Sequence, residues 1–164
     1  MKADERTDFL IIGQGLAGTL LGRAFEARGI SFRIIDRARP VAASRVAAGL
    51  VHPVTGRRHA RSWMLETFLN FNRDYYAALH RLAGREFYHE VPGLEIAATT
   101  KDVNDWIARM DDPDLRLLLD GPVSKTEYAE PLQPAAGLFT LRGCGWMDLP
   151  ALLDHYRSKW TEGG

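Results

Sequence analysis

The sequence predicts an α/β fold: a Rossmann-like βαβ dinucleotide-binding unit followed by an incomplete α+β domain. Three observations lead there. A short apolar run opens directly into a glycine-rich turn, an amphipathic stretch and second apolar run follow, and that second run ends on an acid. Beyond them, strand-like runs and helical patterns alternate without a second βαβ unit, so the nucleotide sheet has only two clear strands.

Phe9 to Ile12 is the continuous apolar run of a buried parallel strand. Gly13, Gly15 and Gly18 then stand in G-x-G-x-x-G spacing. The first allows a sharp turn, the second lets backbone approach a pyrophosphate, and the third lets helix pack closely on strand. The helix runs from about Leu16 to Arg28, beginning Leu16, Ala17, Gly18. Its N-terminal N–H groups and positive dipole end face the phosphates. Gly29 can cap its C-terminus, and Ser31 to Ile35 form the second strand. Asp36 arrives twenty-three residues after Gly13, close to the spacing of a carboxylate that accepts ribose hydroxyls. That acid disfavours the 2′-phosphate of NADP, while FAD and NAD both stay open on this stretch alone. Arg37 reads equally as a cover for the adenine or as a solvated loop charge.

The 164 residues suffice for one ordinary domain with a real core. Twenty-one basic side chains balance twenty-one acidic ones, so no net field recommends nucleic acid or an anionic membrane as partner. The single cysteine, Cys144, excludes an intramolecular disulfide and a multi-cysteine metal site. It reads as a buried or half-buried bystander, and no metal is expected. Met1 to Thr7 is polar, and the apolar run after it is short and broken by glycine. Neither a signal peptide nor a membrane span is expected, which points to a soluble cytoplasmic protein.

Val41 to Arg58 reads as a loop of close approach, poor in acid and not periodic enough for a strand. Small residues at Ala42, Ala43, Ala47, Ala48 and Gly49 would admit a flat or charged ligand. Ser44 can donate to a phosphate oxygen or cap a short helix. The segment Ser44 to Pro53, S-R-V-A-A-G-L-V-H-P, resembles the flavin-contacting loop of the D-amino-acid oxidase family of FAD-dependent oxidoreductases. That resemblance implies a fold of the glutathione-reductase type and FAD as cofactor. It implies Ala43, Ser44 and Arg45 beside the phosphates and ribityl chain. Ala48, Gly49 and Leu50 would bring backbone N–H groups near flavin N5 and O4, where they stabilise charge on the reduced ring. Relatives that attach flavin covalently do so through a histidine immediately before A-A-G. Val46 stands there in this chain, so non-covalent FAD is implied. His52 is either a structural or solvated histidine or a residue near the ring. Arg57 and Arg58, after the Thr55-Gly56 turn, either pair with a substrate carboxylate or phosphate or form a solvated basic loop.

From Arg61 to about Leu82 the pattern is helical, with Met64, Phe68, Phe71, Tyr75, Leu79 and Leu82 as the core stripe; Gly84 ends it. Glu86 to His89 and Leu94 to Ala98 read as a β-hairpin or strand pair around Pro92-Gly93. Lys101 to Met110 is a short helix stopped at Asp111-Asp112-Pro113. Leu115 to Leu119 is ambiguous. Tyr128 and Leu138 to Arg142 suggest two further strands. Asp148 caps a last helix that has Pro150 in its first turn and Leu149, Leu152, Leu153, Tyr156 and Trp160 on its apolar face. His80, His89 and His155 have no motif around them. Gly143, Gly145, Trp146, Asp148 and Pro150 also resemble the family's G-G-W-x-D-x-P segment, interrupted by Cys144.

The resulting division is a nucleotide part over 1–84, a partial substrate domain over 85–146, and a returning helix over 147–164. The resemblance implies oxidation of a small amine or amino acid by hydride transfer to flavin N5. The imine product would hydrolyse in water, with oxygen or another acceptor reoxidising the flavin. No catalytic residue is assigned, because the arginine that clamps a substrate carboxylate comes from the family's second half. The chain therefore reads as an N-terminal fragment or part of a split protein, its partner the missing C-terminal half or a complementing chain. The alternatives are an NAD-dependent dehydrogenase, which leaves the A-A-G loop without a purpose, and a non-catalytic fragment or nucleotide-binding module.

Overall fold

The computed structural model describes residues 6–56, 59–124 and 135–162. The chain divides into two compact units, Met1–Gly49 with Asp148–Gly164, and Leu50–Met147. In the first unit β1 (Phe9–Ile12) and β2 (Phe32–Ile35) pair in parallel, in register from Phe9↔Phe32 to Ile12↔Ile35. The helix between them, α1 (Leu16–Glu26), stops two residues short of the expected end, with Ala27 as its C-cap. The last helix, α5 (Leu149–Glu162), belongs to the same unit. Its start is the predicted one, Asp148 Oδ1 accepting the Ala151 N–H at 3.1 Å. Its predicted apolar face is buried at Leu149, Leu152, Leu153 and Tyr156. Trp160 meets Phe32 edge to face at 5.3 Å. It also leaves no room beside α1: a Cβ on Gly22 would lie 2.8 Å from the indole.

The stretch expected to be an irregular loop carries more order than its periodicity suggests. It holds α2 (Ala43–Val46) in the first unit, then β3 (Leu50–Val51) and β4 (Val54–Thr55) in the second. Two-residue strands have no period to read; they exist because distant partners hold them. β4 pairs with β5 (Ala60–Arg61), and that pairing delays α3 to Leu65–Ala83 rather than Arg61. The inward face of α3 is also a correction. Leu65, Tyr76 and Leu79 are buried, with Leu69 and Asn72 half-buried between them. Phe68, Phe71 and Leu82 of the predicted core stripe are exposed. The true face lies about one residue round the helix; of the expected stripe Leu79 is buried and Tyr75 half-buried.

The two strands around Pro92 exist but do not pair with one another. β6 (Tyr88–Glu90) joins the sheet β3-β10-β6, and β7 (Gly93–Ala97) joins the sheet β7-β9-β8. Their partners are β10 (Gly145–Met147), β9 (Gly137–Leu141) and, beyond β9, β8 (Leu119–Pro122). Pro92 has no N–H to close a hairpin, and the Val91 N–H donates to the Cys144 carbonyl instead. The ambiguous 115–119 segment is a turn running into β8. α4 (Thr100–Met110) opens with a reciprocal capping box between Thr99 and Asp102. The core of this unit is Val54, Ala97, Trp106, Leu115, Leu119, Phe139, Leu141 and Cys144. The strand expected at Tyr128 and the basic pair Arg57-Arg58 lie outside the described residues. The first unit closes at Gly49, so β3, β4, β5 and α3, assigned from sequence to the nucleotide part, fall in the second. Among the described residues no helix is long and apolar enough to cross a membrane.

Candidate functional site

The site is built on the turn between β1 and α1. Gly13 adopts φ +97°, and its N–H donates to the Ile35 carbonyl at 2.8 Å, which ties the turn to the end of β2. Gly18 packs so closely that a Cβ there would lie 2.0 Å from the Gly13 oxygen and 3.3 Å from Ile11 Cγ2. Only glycine fits, as the third position of the fingerprint requires. Gly15 is the N-cap of α1 and has no side chain to satisfy the first helical N–H groups. A Cβ on Gly15 would come 3.0 Å from Ser44 Oγ. Ser44 itself supplies the missing cap, its Oγ accepting the Leu16 N–H at 3.1 Å. It sits inside α2 rather than at its start, so it caps α1 and not the short helix. Ala17 is exposed on the first turn of α1.

Asp36 closes the turn from the other side. Its Oδ2 accepts the Gln14 N–H at 2.9 Å, and its Oδ1 accepts the Ala38 N–H at 2.7 Å and Arg157 Nη2 at 2.5 Å. The Gln14 hydrogen bond above all, with those from Ala38 and Arg157, holds the Asp36 carboxyl below its usual range against the opposing effect of burial. The carboxylate is thus ionised and oriented by backbone before any ligand is considered. Arg37 is exposed.

Arg45 is paired with Asp154 of α5, which raises the guanidinium pKa and lowers that of Asp154. Arg45 and Asp36 therefore each meet a side chain from α5. Neither Asp154 nor Arg157 was singled out by the sequence. The one available signal is their spacing, a turn apart beside Leu153 and Tyr156 on the buried face. Nothing in that spacing names their partners.

Ala43 begins α2, Ala48 is exposed, and Gly49 holds φ +72° at the end of the first unit. Leu50 belongs to β3 of the second unit and is largely exposed. His52, in the same unit, is half-buried. Its Nδ1 lies 2.6 Å from the Val54 carbonyl oxygen; since a carbonyl only accepts, Nδ1–H is the donor of this hydrogen bond. Among the described residues no group of acids, histidines or cysteine could hold a metal ion.

The model of the family described as FAD dependent oxidoreductase (DAO) matches residues 8–164. Among solved structures, glycine oxidase from Bacillus cereus ATCC 14579 superposes with a TM-score of 0.72 at 19% identity, over 92% of this chain and 42% of that one. Glycine oxidase from Geobacillus kaustophilus gives 0.69 at 20%, over 92% and 43%. Iminodiacetate oxidase from Chelativorans sp. BNC1 gives 0.65 at 21%, over 92% and 44%. No curated protein matches the chain. The chain spans less than half the length of the solved structures it resembles. It belongs to the FAD dependent oxidoreductase family, whose cofactor is FAD.

Proposed function

We propose that the first unit holds FAD non-covalently, and that a longer protein containing this chain oxidises a small amine or amino acid. The observation that carries this reading is the glycine turn, closed to a Cβ at Gly18 and flanked by an ionised, backbone-held Asp36. These residues fit the adenosine and pyrophosphate of the cofactor. The Gly13–Gly18 backbone and the Leu16 and Ala17 end of α1 offer N–H groups and a positive dipole to phosphate. Asp36 accepts ribose hydroxyls, and Arg37 lies over the adenine. Ser44 accepts from Leu16 and so keeps its own hydroxyl proton for a phosphate oxygen. Arg45 is matched by Asp154, and its part is to hold α2, with Ala43 and Ser44, against α5. Ala48, Gly49 and Leu50 present backbone to the redox ring. FAD supplies the two-electron acceptor for oxidation of the carbon bearing the amine. His52, its Nδ1 held by the Val54 carbonyl, is the residue near the ring that orients the substrate or tunes the flavin. The acceptor that reoxidises the cofactor is oxygen or another oxidant.

The parallel sheet leaves Leu10, Ile12 and Ile35 exposed on one face. Further chain, or a complementing chain, would cover that face and supply the clamp for a substrate carboxylate. The purified protein, denatured and chromatographed, is expected to release free FAD. Recovery of NAD, or of flavin still bound to the chain, overturns the cofactor assignment. Gly15→Val, which fills the space beside Ser44, is expected to abolish flavin binding. Retention of flavin by that variant places the phosphates elsewhere.

A further inference from the structure

Asp36 is more fully engaged than a ligand-binding carboxylate needs to be. An ionised carboxylate accepts about four hydrogen bonds, two on each oxygen. Oδ1 already takes two, from the Ala38 N–H at 2.7 Å and from Arg157 Nη2 at 2.5 Å. Oδ2 takes one, from the Gln14 N–H at 2.9 Å. Among the described residues nothing else donates to the group, so one acceptor position is left, and it is on Oδ2. The carboxylate is also kept from turning, because its two oxygens are tied to different backbone segments. Ala38 holds a left-handed φ of +52° while making its bond, a conformation that costs a non-glycine residue energy.

Of the three donors, only Arg157 comes from outside the βαβ unit. It is carried by α5, and α5 is fixed on both sides of it. One turn earlier, Asp154 pairs with Arg45 of α2. Just after it, Lys159 Nζ and Trp160 Nε1 both donate to Glu26 Oε1 of α1, at 2.7 Å and 3.2 Å. The Trp160 ring meets Phe32, the first residue of the strand that ends beside Asp36. The side chains of Arg157 and Asp36 are only 27% and 25% exposed. Packing that locks a supporting side chain holds the group it supports to one geometry. A guanidinium anchored in this way stays on Oδ1 when a ligand arrives.

We infer that Arg157 is a positioning residue of the nucleotide cradle: it fills the second place on Oδ1, so that Asp36 grips one ribose hydroxyl through Oδ2 and leaves the other ungripped. The inference rests on the cradle proposed above and narrows its ribose contact from two hydroxyls to one. Its test uses the 164-residue chain and three nucleotides, ADP, 2′-deoxy-ADP and 3′-deoxy-ADP, titrated by calorimetry. Loss of a hydrogen bond to a charged group should weaken one deoxy nucleotide about tenfold or more, the other staying within about twofold of ADP. Arg157→Met reopens Oδ1, and the analogue that the parent tolerates is then expected to fall about tenfold below ADP as well. An arginine with a purely structural part would instead weaken all three nucleotides by one factor. Such a uniform loss, or unchanged selectivity in the folded variant, overturns the inference. So does equal dependence of the parent on both hydroxyls, a result that needs no variant and stands even if Arg157→Met fails to fold. Two results reach further and overturn the cradle itself: no ADP binding by the folded parent, or binding indifferent to both hydroxyls.

Discussion

The two-stranded parallel sheet of the first unit and the three-stranded antiparallel sheet β7-β9-β8 of the second use similar apolar strands and end in opposite conditions. In the second unit Ala97, Phe139 and Leu141 are sealed beneath α4, and the other face carries the buried Leu138 beside the half-buried Leu94 and Thr140 and the half-exposed Ile96. In the first unit Ile11 is 6% exposed, yet Leu10, Ile12 and Ile35 on the opposite face are 55%, 84% and 57% exposed. An antiparallel sheet can be satisfied by cover on one face, yet β9 is covered on both, at Leu138 as well as at Phe139 and Leu141, whereas the parallel sheet, built apolar on both faces, has cover on one. The helices α1 and α5 provide it. Apolar residues on both faces of a strand therefore record a need for cover, whether or not the covering layer is within reach.

The largest effect expected is in the sealed sheet. Phe139→Ala should cost about 3–5 kcal/mol, read as a loss of urea resistance followed by tryptophan fluorescence. A loss below about 1 kcal/mol would mean that this sheet is no better packed than the other. Gly18→Ala should cost about 1–3 kcal/mol through overpacking against the Gly13 carbonyl. Hydrogen exchange should quicken in β1, α1 and β2 while the amides of β7 and β9 keep their protection. Loss of protection in both units together would break the distinction between them.

A smaller effect belongs to pH. Asp36 has a folded pKa below its ordinary value of 3.8, first because of the Gln14 N–H and then through Ala38 and Arg157. Its contribution to stability is present above the unfolded pKa and is lost as the pH falls through the folded one. Acid titration below about pH 4 should loosen the first unit before the second, and Asp36→Asn should reduce that dependence, the remainder resting on Asp154 and the other carboxylates of lowered pKa in the unit. A variant with the parent's acid profile would assign the transition to other carboxylates. The smallest effect is on the bare face. Ile12→Thr should change stability by no more than about 0.5 kcal/mol while lowering the binding of a hydrophobic dye. Undiminished dye binding would show that the exposed surface lies elsewhere, with the stripe of Phe68 and Phe71 on α3 the next place to mutate.

What the sequence determined by itself is whatever is decided within a few residues. The glycines at 13, 15 and 18 answer to backbone torsion and to contacts inside one βαβ turn. The cap at Asp148 and the face of α5 answer to helical period. These were legible because the physical requirement and the residues that meet it lie side by side. The tertiary structure alone decided the rest. Arg45 finds Asp154 across 109 residues and Arg157 finds Asp36 across 121; no local pattern encodes either pairing. The strands around Pro92 join two different sheets because β10 and β9, more than forty residues further on, satisfy their hydrogen bonds. The face that α3 buries depends on what packs against it, and its aromatic stripe, apolar enough for a core, stays mostly in water. Periodicity shows that a face is apolar, but only the packed chain decides which face is covered.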